Sequence, residues 1–116
     1  MKEKLQKLLD IIKEKKAYTI IQSKPDESGI LILGGYSYHN AIFDVLGAIN
    51  HDLNYMENYK KLEGLDISNY TIQNIETHLT YLSRAERFCD GIIAASIDNG
   101  ILQKLVERYL ILLSDK

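Results

Sequence analysis

The chain has 116 residues, 46 % hydrophobic and 26 % charged, the make-up of one globular domain with room for a core and too little length for two. A formal charge of −2 lacks the basic excess expected of a nucleic-acid binder, and no apolar run reaches the ~18 residues of a membrane span. The lone cysteine, Cys89, excludes an internal disulfide and fits a reducing compartment, so a cytoplasmic protein is expected.

Lys2 to Lys16 reads as a first helix, charged and amphipathic rather than a signal peptide. Leu5, Leu8, Leu9 and Ile12 recur at i, i+3, i+4, i+7 with lysines and acids between them. Ala17 to Gln22 and the run from Gly29 to Leu33 are short, β-favouring and apolar, and the turn-rich Ser23 to Ser28 between them holds the single proline. Together they predict a hairpin that must lie against helices, because two strands alone are marginal in water. Gly34-Gly35 then frees the backbone before Ser37, the expected cap of a second helix carrying Ile42, Val45, Leu46 and Ile49. The pair is no phosphate loop, since neither the glycine spacing nor the following lysine is present.

Tyr55, Tyr59 and Leu62 define a short third helix closing near Gly64. Tyr55, Tyr59 and Tyr70 read as half-buried tyrosines with wet hydroxyls, with a ligand pocket as the competing reading. Thr71 is the expected cap of a long helix with Ile72, Ile75, Leu79 and Leu82 on one stripe. Asp90-Gly91 breaks it, a short helix runs from about Ile92 to Ile97, and Asn99-Gly100 closes that one. A final helix carries Leu102, Leu105, Val106, Tyr109 and Leu113. The expected fold is mainly α (α+β at most): one domain over residues 1–116, about five helices and a small hairpin after the first.

The long helix runs into Arg84-Ala85-Glu86-Arg87-Phe88-Cys89-Asp90-Gly91. Glu86 falls in the middle of the apolar stripe, and a carboxylate there needs donors. Arg87 points about 100° away, so the expected partners are Arg108 or free backbone N–H groups at the next helix start. Arg84, Glu86, Arg87, Cys89, Asp90 and Arg108 are therefore the candidate cluster, as a structural bracket or as a site. Cys89 is expected to be a buried structural thiol, because free cysteine is among the most buried residue types. His39, His51 and His78 lack metal-site spacing, so neither metal nor cofactor is expected, and His78 reads as a packed, hydrogen-bonded core residue.

Thr80 together with this octapeptide, the small-residue helix, Gly100 and the Ile/Leu-rich last helix resembles a bacterial family of small proteins classed as a domain of unknown function. The similar signature there is Arg-x-[Glu/Asp]-Arg-Phe-[Cys/Ser]-[Glu/Asp]-Gly, and the likeness covers about residues 37 to 113. Such relatives commonly carry a tryptophan where this chain has Asn54 to Tyr59, and tryptophan is absent here. Serine at the position of Cys89 argues against a thiol nucleophile. The resemblance implies a fold and no activity.

The sequence therefore points to a non-enzymatic interaction or binding module, and a homodimer is expected from its many semi-apolar faces. The competing class is an enzyme or small-molecule binder using a cleft around Arg84, Glu86 and Arg87. A third reading, weaker on charge grounds, is nucleic-acid binding through Lys13, Lys15, Lys16 and Lys24.

Overall fold

A computed structural model describes residues 1–22 and 33–114. Among these the order is α1 (Lys2–Lys13), β1 (Tyr18–Gln22), β2 (Leu33–Tyr38), α2 (Asn40–Ala48), α3 (Tyr55–Lys60), a 3₁₀ turn (Ile67–Asn69), α4 (Ile72–Glu86), α5 (Ile92–Asp98) and α6 (Ile101–Ser114). The fold is mostly helical with one small antiparallel sheet after the first helix, as the periodicity predicts. The described residues hold six α-helices where about five are expected.

The stripes read from sequence form the core. Leu5 and Leu8 of α1, Ile42 and Val45 of α2, Ile75 and Leu79 of α4, and Leu105 and Val106 of α6 are all fully enclosed. Burying a Leu, Ile or Val side chain stabilises by about 1.5–3 kcal/mol, so these helices are held mainly by their shared seam. α1 packs on α6 and α2, α3 lies along α4, and α5 joins α4 to α6. Thr71 caps α4 as expected, accepting from the Asn74 N–H while the Asn74 side chain accepts from the Thr71 N–H. α1 stops at Lys13, three residues early, and Lys15 beyond it takes a left-handed backbone (φ 60°).

The hairpin differs from expectation. The second strand begins at Leu33, where the expected run ends, and takes in Gly34 and Gly35 rather than breaking there. The proposed turn and Ile30 to Ile32 lie outside the described residues. Register pairs Tyr18 with Tyr38, Thr19 with Ser37 and Ile20 with Tyr36, and shifts between Ile20 and Gln22. Strand alternation puts Tyr36 and Tyr38 on one face, their rings stacked at 6.2 Å and 12°. Glycine suits a strand where another group approaches closely: a Cβ at Gly35 would lie 3.4 Å from Asp90 Oδ2. Ser37 is thus a strand residue and not the cap of α2. His39 takes that place, its Nδ1 accepting from the Ala41 N–H at 3.0 Å.

No helix among the described residues is long and apolar enough to cross a membrane.

Candidate functional site

The octapeptide spans the last turn of α4 and the break before α5, and its residues divide between the interior and the surface. Glu86 ends α4 on the core stripe, half-buried where the helical seam meets the hairpin. Its Oε1 accepts from the Tyr38 hydroxyl at 2.7 Å and from the Ile93 N–H at 2.8 Å, and its Oε2 accepts from the Gly91 N–H at 2.7 Å. The two amides belong to the N-terminal turn of α5, whose first N–H groups have no partner within the helix, and a carboxylate also suits the positive end of the helix dipole. The Tyr38 oxygen accepts in turn from the Ala94 N–H at 3.2 Å. Burial, and then the Glu86 carboxylate beside it, push the Tyr38 phenol up, so Tyr38 keeps its proton and serves as the donor to Glu86.

The expected partner Arg108 is elsewhere. Its Nε–H donates to the Tyr70 carbonyl at 3.0 Å, tying α6 to the turn before α4. Backbone amides can meet Glu86 without the cost of burying a second charge, which explains why no arginine is required. Arg84 is half-buried, Arg87 is exposed, and among the described residues no ion pair joins Arg84, Arg87 or Arg108 to a carboxylate. Asp90 is exposed beside Gly35.

Cys89 is exposed rather than buried, which corrects the expectation from residue type. The helix ends at Glu86, so Phe88 and Cys89 turn outward in the connection, and Phe88 is 88 % exposed. They border a groove of about 410 Å³ between α3 and α4. Tyr59 and Tyr81 stack in it, ring centres 3.8 Å apart and planes within 5° of parallel. Tyr55, Met56 and Lys60 form the α3 wall, and Ala85 and Ile92 complete the other side. Met56 is 66 % exposed, and Leu53, in the connection before α3 and not part of the groove lining, is 89 % exposed. Tyr81 and Ala85, at i and i+4, lie about 120° round α4 from the core stripe, and Phe88 follows them in the turn beyond the helix end. This second stripe is present in the sequence and marks the groove; Glu86 is not among its lining residues.

The three tyrosines considered together do not share one pocket. Tyr55 and Tyr59 line the groove, while Tyr59 and the buried Tyr70 line a separate recess of about 490 Å³, where the Tyr70 hydroxyl lies 3.1 Å from His78 Nδ1. His78 is buried edge-on against Tyr59, and burial pushes its pKa down to about 4, so the ring is neutral near pH 7. His51 Nε2 lies 2.8 Å from the Leu46 carbonyl and His39 caps α2. Among the described residues no three His, Cys, Asp or Glu side chains are grouped to hold a metal ion. A further knot, not picked out from sequence, surrounds Asp52. Its carboxylate accepts from the Thr77 hydroxyl, the Asn58 amide and the Asn54 N–H, bonds that hold its pKa below the usual range and pin the start of α3 to α4.

The architecture is a small helical domain with an apolar groove between α3 and α4, near a carboxylate that accepts three hydrogen bonds. A family model described as a family of unknown function (DUF6508) matches residues 2–114, and the chain belongs to that family. The match takes in α1 and the hairpin as well as the octapeptide. No curated protein and no solved structure matches the chain.

Proposed function

We propose that this chain is a non-enzymatic interaction module of a bacterial family, cytoplasmic, binding protein through the groove bordered by Phe88. The observation that carries the reading is the division within one octapeptide. Glu86 has its donors supplied by Tyr38, Gly91 and Ile93, while Phe88 stands 88 % exposed over an aromatic groove. A general base needs a lone pair directed at substrate, and here three of the roughly four acceptor sites of the carboxylate are taken by groups that hold α4, β2 and α5 together. An exposed aromatic beside a recess, with Met56 and Leu53 also uncovered, is the composition of an interface centre. An exposed free thiol at Cys89 fits a reducing compartment.

The test compares immobilised wild type with Phe88→Asp and Glu86→Gln, each first checked for a cooperative melt. The reading expects wild type to retain a saturable protein partner, this chain or another, from the native host. Phe88→Asp should lose it with no loss of melting temperature when both proteins are compared as monomers, and Glu86→Gln should keep it. Retention unaffected at Phe88, or a small-molecule ligand whose binding depends on Glu86, would overturn the reading.

A further inference from the structure

We infer that the recess over Tyr70 and His78 is a binding site, separate from the Phe88 groove, for a small uncharged and largely apolar molecule carrying a carbonyl or ring-nitrogen acceptor. The inference does not rest on the groove being a contact surface. The recess holds about 490 Å³, within the roughly 300–1,000 Å³ of small-molecule sites. Tyr59 of α3, Leu62, Ile67 of the 3₁₀ turn and Ile101 of α6 give it apolar walls.

Two buried polar side chains meet in it. Tyr70 is 3 % exposed and His78 7 %, and the Tyr70 hydroxyl has His78 Nδ1 as its one hydrogen-bond partner among the described residues. A buried hydroxyl that donates to nothing is costly, so Tyr70 donates and Nδ1 accepts. Burial keeps the ring uncharged at neutral pH, which places its single proton on Nε2. Nε2 makes no hydrogen bond among the described residues, yet no polar side-chain atom shut off from solvent there lacks a partner. Nε2–H therefore reaches open space, and the open space that His78 lines is this recess. A side chain more than nine-tenths buried thus holds out a donor, its tautomer fixed by Tyr70, into a cavity of ligand size.

That donor decides the chemistry of the occupant. The uncharged ring has no charge to pair with a carboxylate, and an ion without a partner is expensive to bury. Lys60 and Glu63 also line the recess; both are exposed and opposite in sign, so together they add no net charge to attract an ion. An uncharged molecule with one acceptor satisfies Nε2–H and leaves the rest of its surface against the apolar walls.

Imidazole nitrogen–proton correlation spectra of the full-length, isotope-labelled chain in neutral buffer test this, with acetophenone, quinoline, toluene and benzoate as probes. Without a probe, Nδ1 of His78 is expected to give the signal of a bare acceptor and Nε2 that of a protonated nitrogen. Acetophenone and quinoline should each bind saturably, moving the Nε2–H signal and the methyl signals of Leu62 and Ile101. Both should bind about ten-fold tighter than toluene, which lacks the acceptor, and tighter than benzoate. Phe88→Asp should leave these affinities unchanged, and a cooperatively melting His78→Phe should lose the preference over toluene. Should His78→Phe not fold, the four probes on wild type decide alone. A proton on Nδ1, an Nε2–H signal unmoved by both acceptor probes, or benzoate binding as tightly as acetophenone overturns the inference. Loss of the shifts in Phe88→Asp would place the probes in the groove and overturn the separate site.

Discussion

Gly91 lies directly under the ring of Tyr36, so close that a Cβ on the glycine would stand 2.7 Å from Tyr36 Cε2 and 3.0 Å from Cζ. The same residue has φ +97°, a backbone conformation that side chains rarely adopt, and its N–H donates to Glu86. Two independent requirements therefore select glycine where α4 gives way to α5. Gly91→Ala is expected to cost roughly 1–2 kcal/mol from left-handed strain, with a smaller addition for displacing the exposed tip of the Tyr36 ring. Part of that loss should return when Tyr36→Ala is added, because the ring is gone while the strain remains. Urea unfolding of the four proteins measures this, and strictly additive losses would show that the ring does not press on Gly91.

His78 provides a pH test. Its folded pKa is near 4 against an ordinary 6.5, because burial disfavours the imidazolium, so between these values the unfolded chain binds more protons. The contribution of His78 is therefore fully present above about pH 6.5 and is lost as pH falls towards 4, by roughly 3 kcal/mol at 1.36 kcal/mol per unit. Asp52 and Asp66, whose pKa values are lowered by hydrogen bonds, also remove stability in acid, so the comparison must be made against a variant. In His78→Gln the loss between about pH 6.5 and 4.5 should be much shallower than in wild type. Parallel curves would place the titration elsewhere.

Leu105 tests the helical seam. It is fully buried in α6, and Leu105→Ala is expected to cost about 2–5 kcal/mol, the range for a leucine whose cavity does not collapse. A melting temperature equal to that of wild type would mean that the seam is not the source of stability.

What could be read in advance follows the range of the interactions. The stripes of α1, α4 and α6 were legible because helical period and burial coincide, as at Leu5, Leu79 and Leu105. The amides near Gly91 as partners of Glu86 were legible too, since they are local to the helix start that follows. Tyr38, the third partner, lies 48 residues away on a strand that Gly34-Gly35 disguised as a turn, and no local pattern announces it. Arg108 misled because its acceptor is the Tyr70 backbone carbonyl, and residue types do not reveal where a backbone acceptor lies open. Cys89 misled because residue-type burial ignores that α4 ends three residues earlier. The groove side of α4 shows in the sequence only as Tyr81 and Ala85, too short a pattern to stand out beside the core stripe, and Phe88 joins it only because the chain turns after Glu86.

Whether Glu86 is a structural bracket, with Phe88 two residues on left for contact, is decided by the thermal melt of Glu86→Gln. The amide keeps the size of the side chain and one acceptor, but its NH₂ group must face a hydroxyl or N–H donor now bonded to the carboxylate. A cost of about 1–3 kcal/mol is expected, with Glu86→Ala losing more and Phe88→Asp, measured as monomer, losing nothing. A Glu86→Gln protein that melts at or above the wild-type temperature would contradict the bracket and return Arg84, Glu86 and Arg87 to candidacy as a functional site.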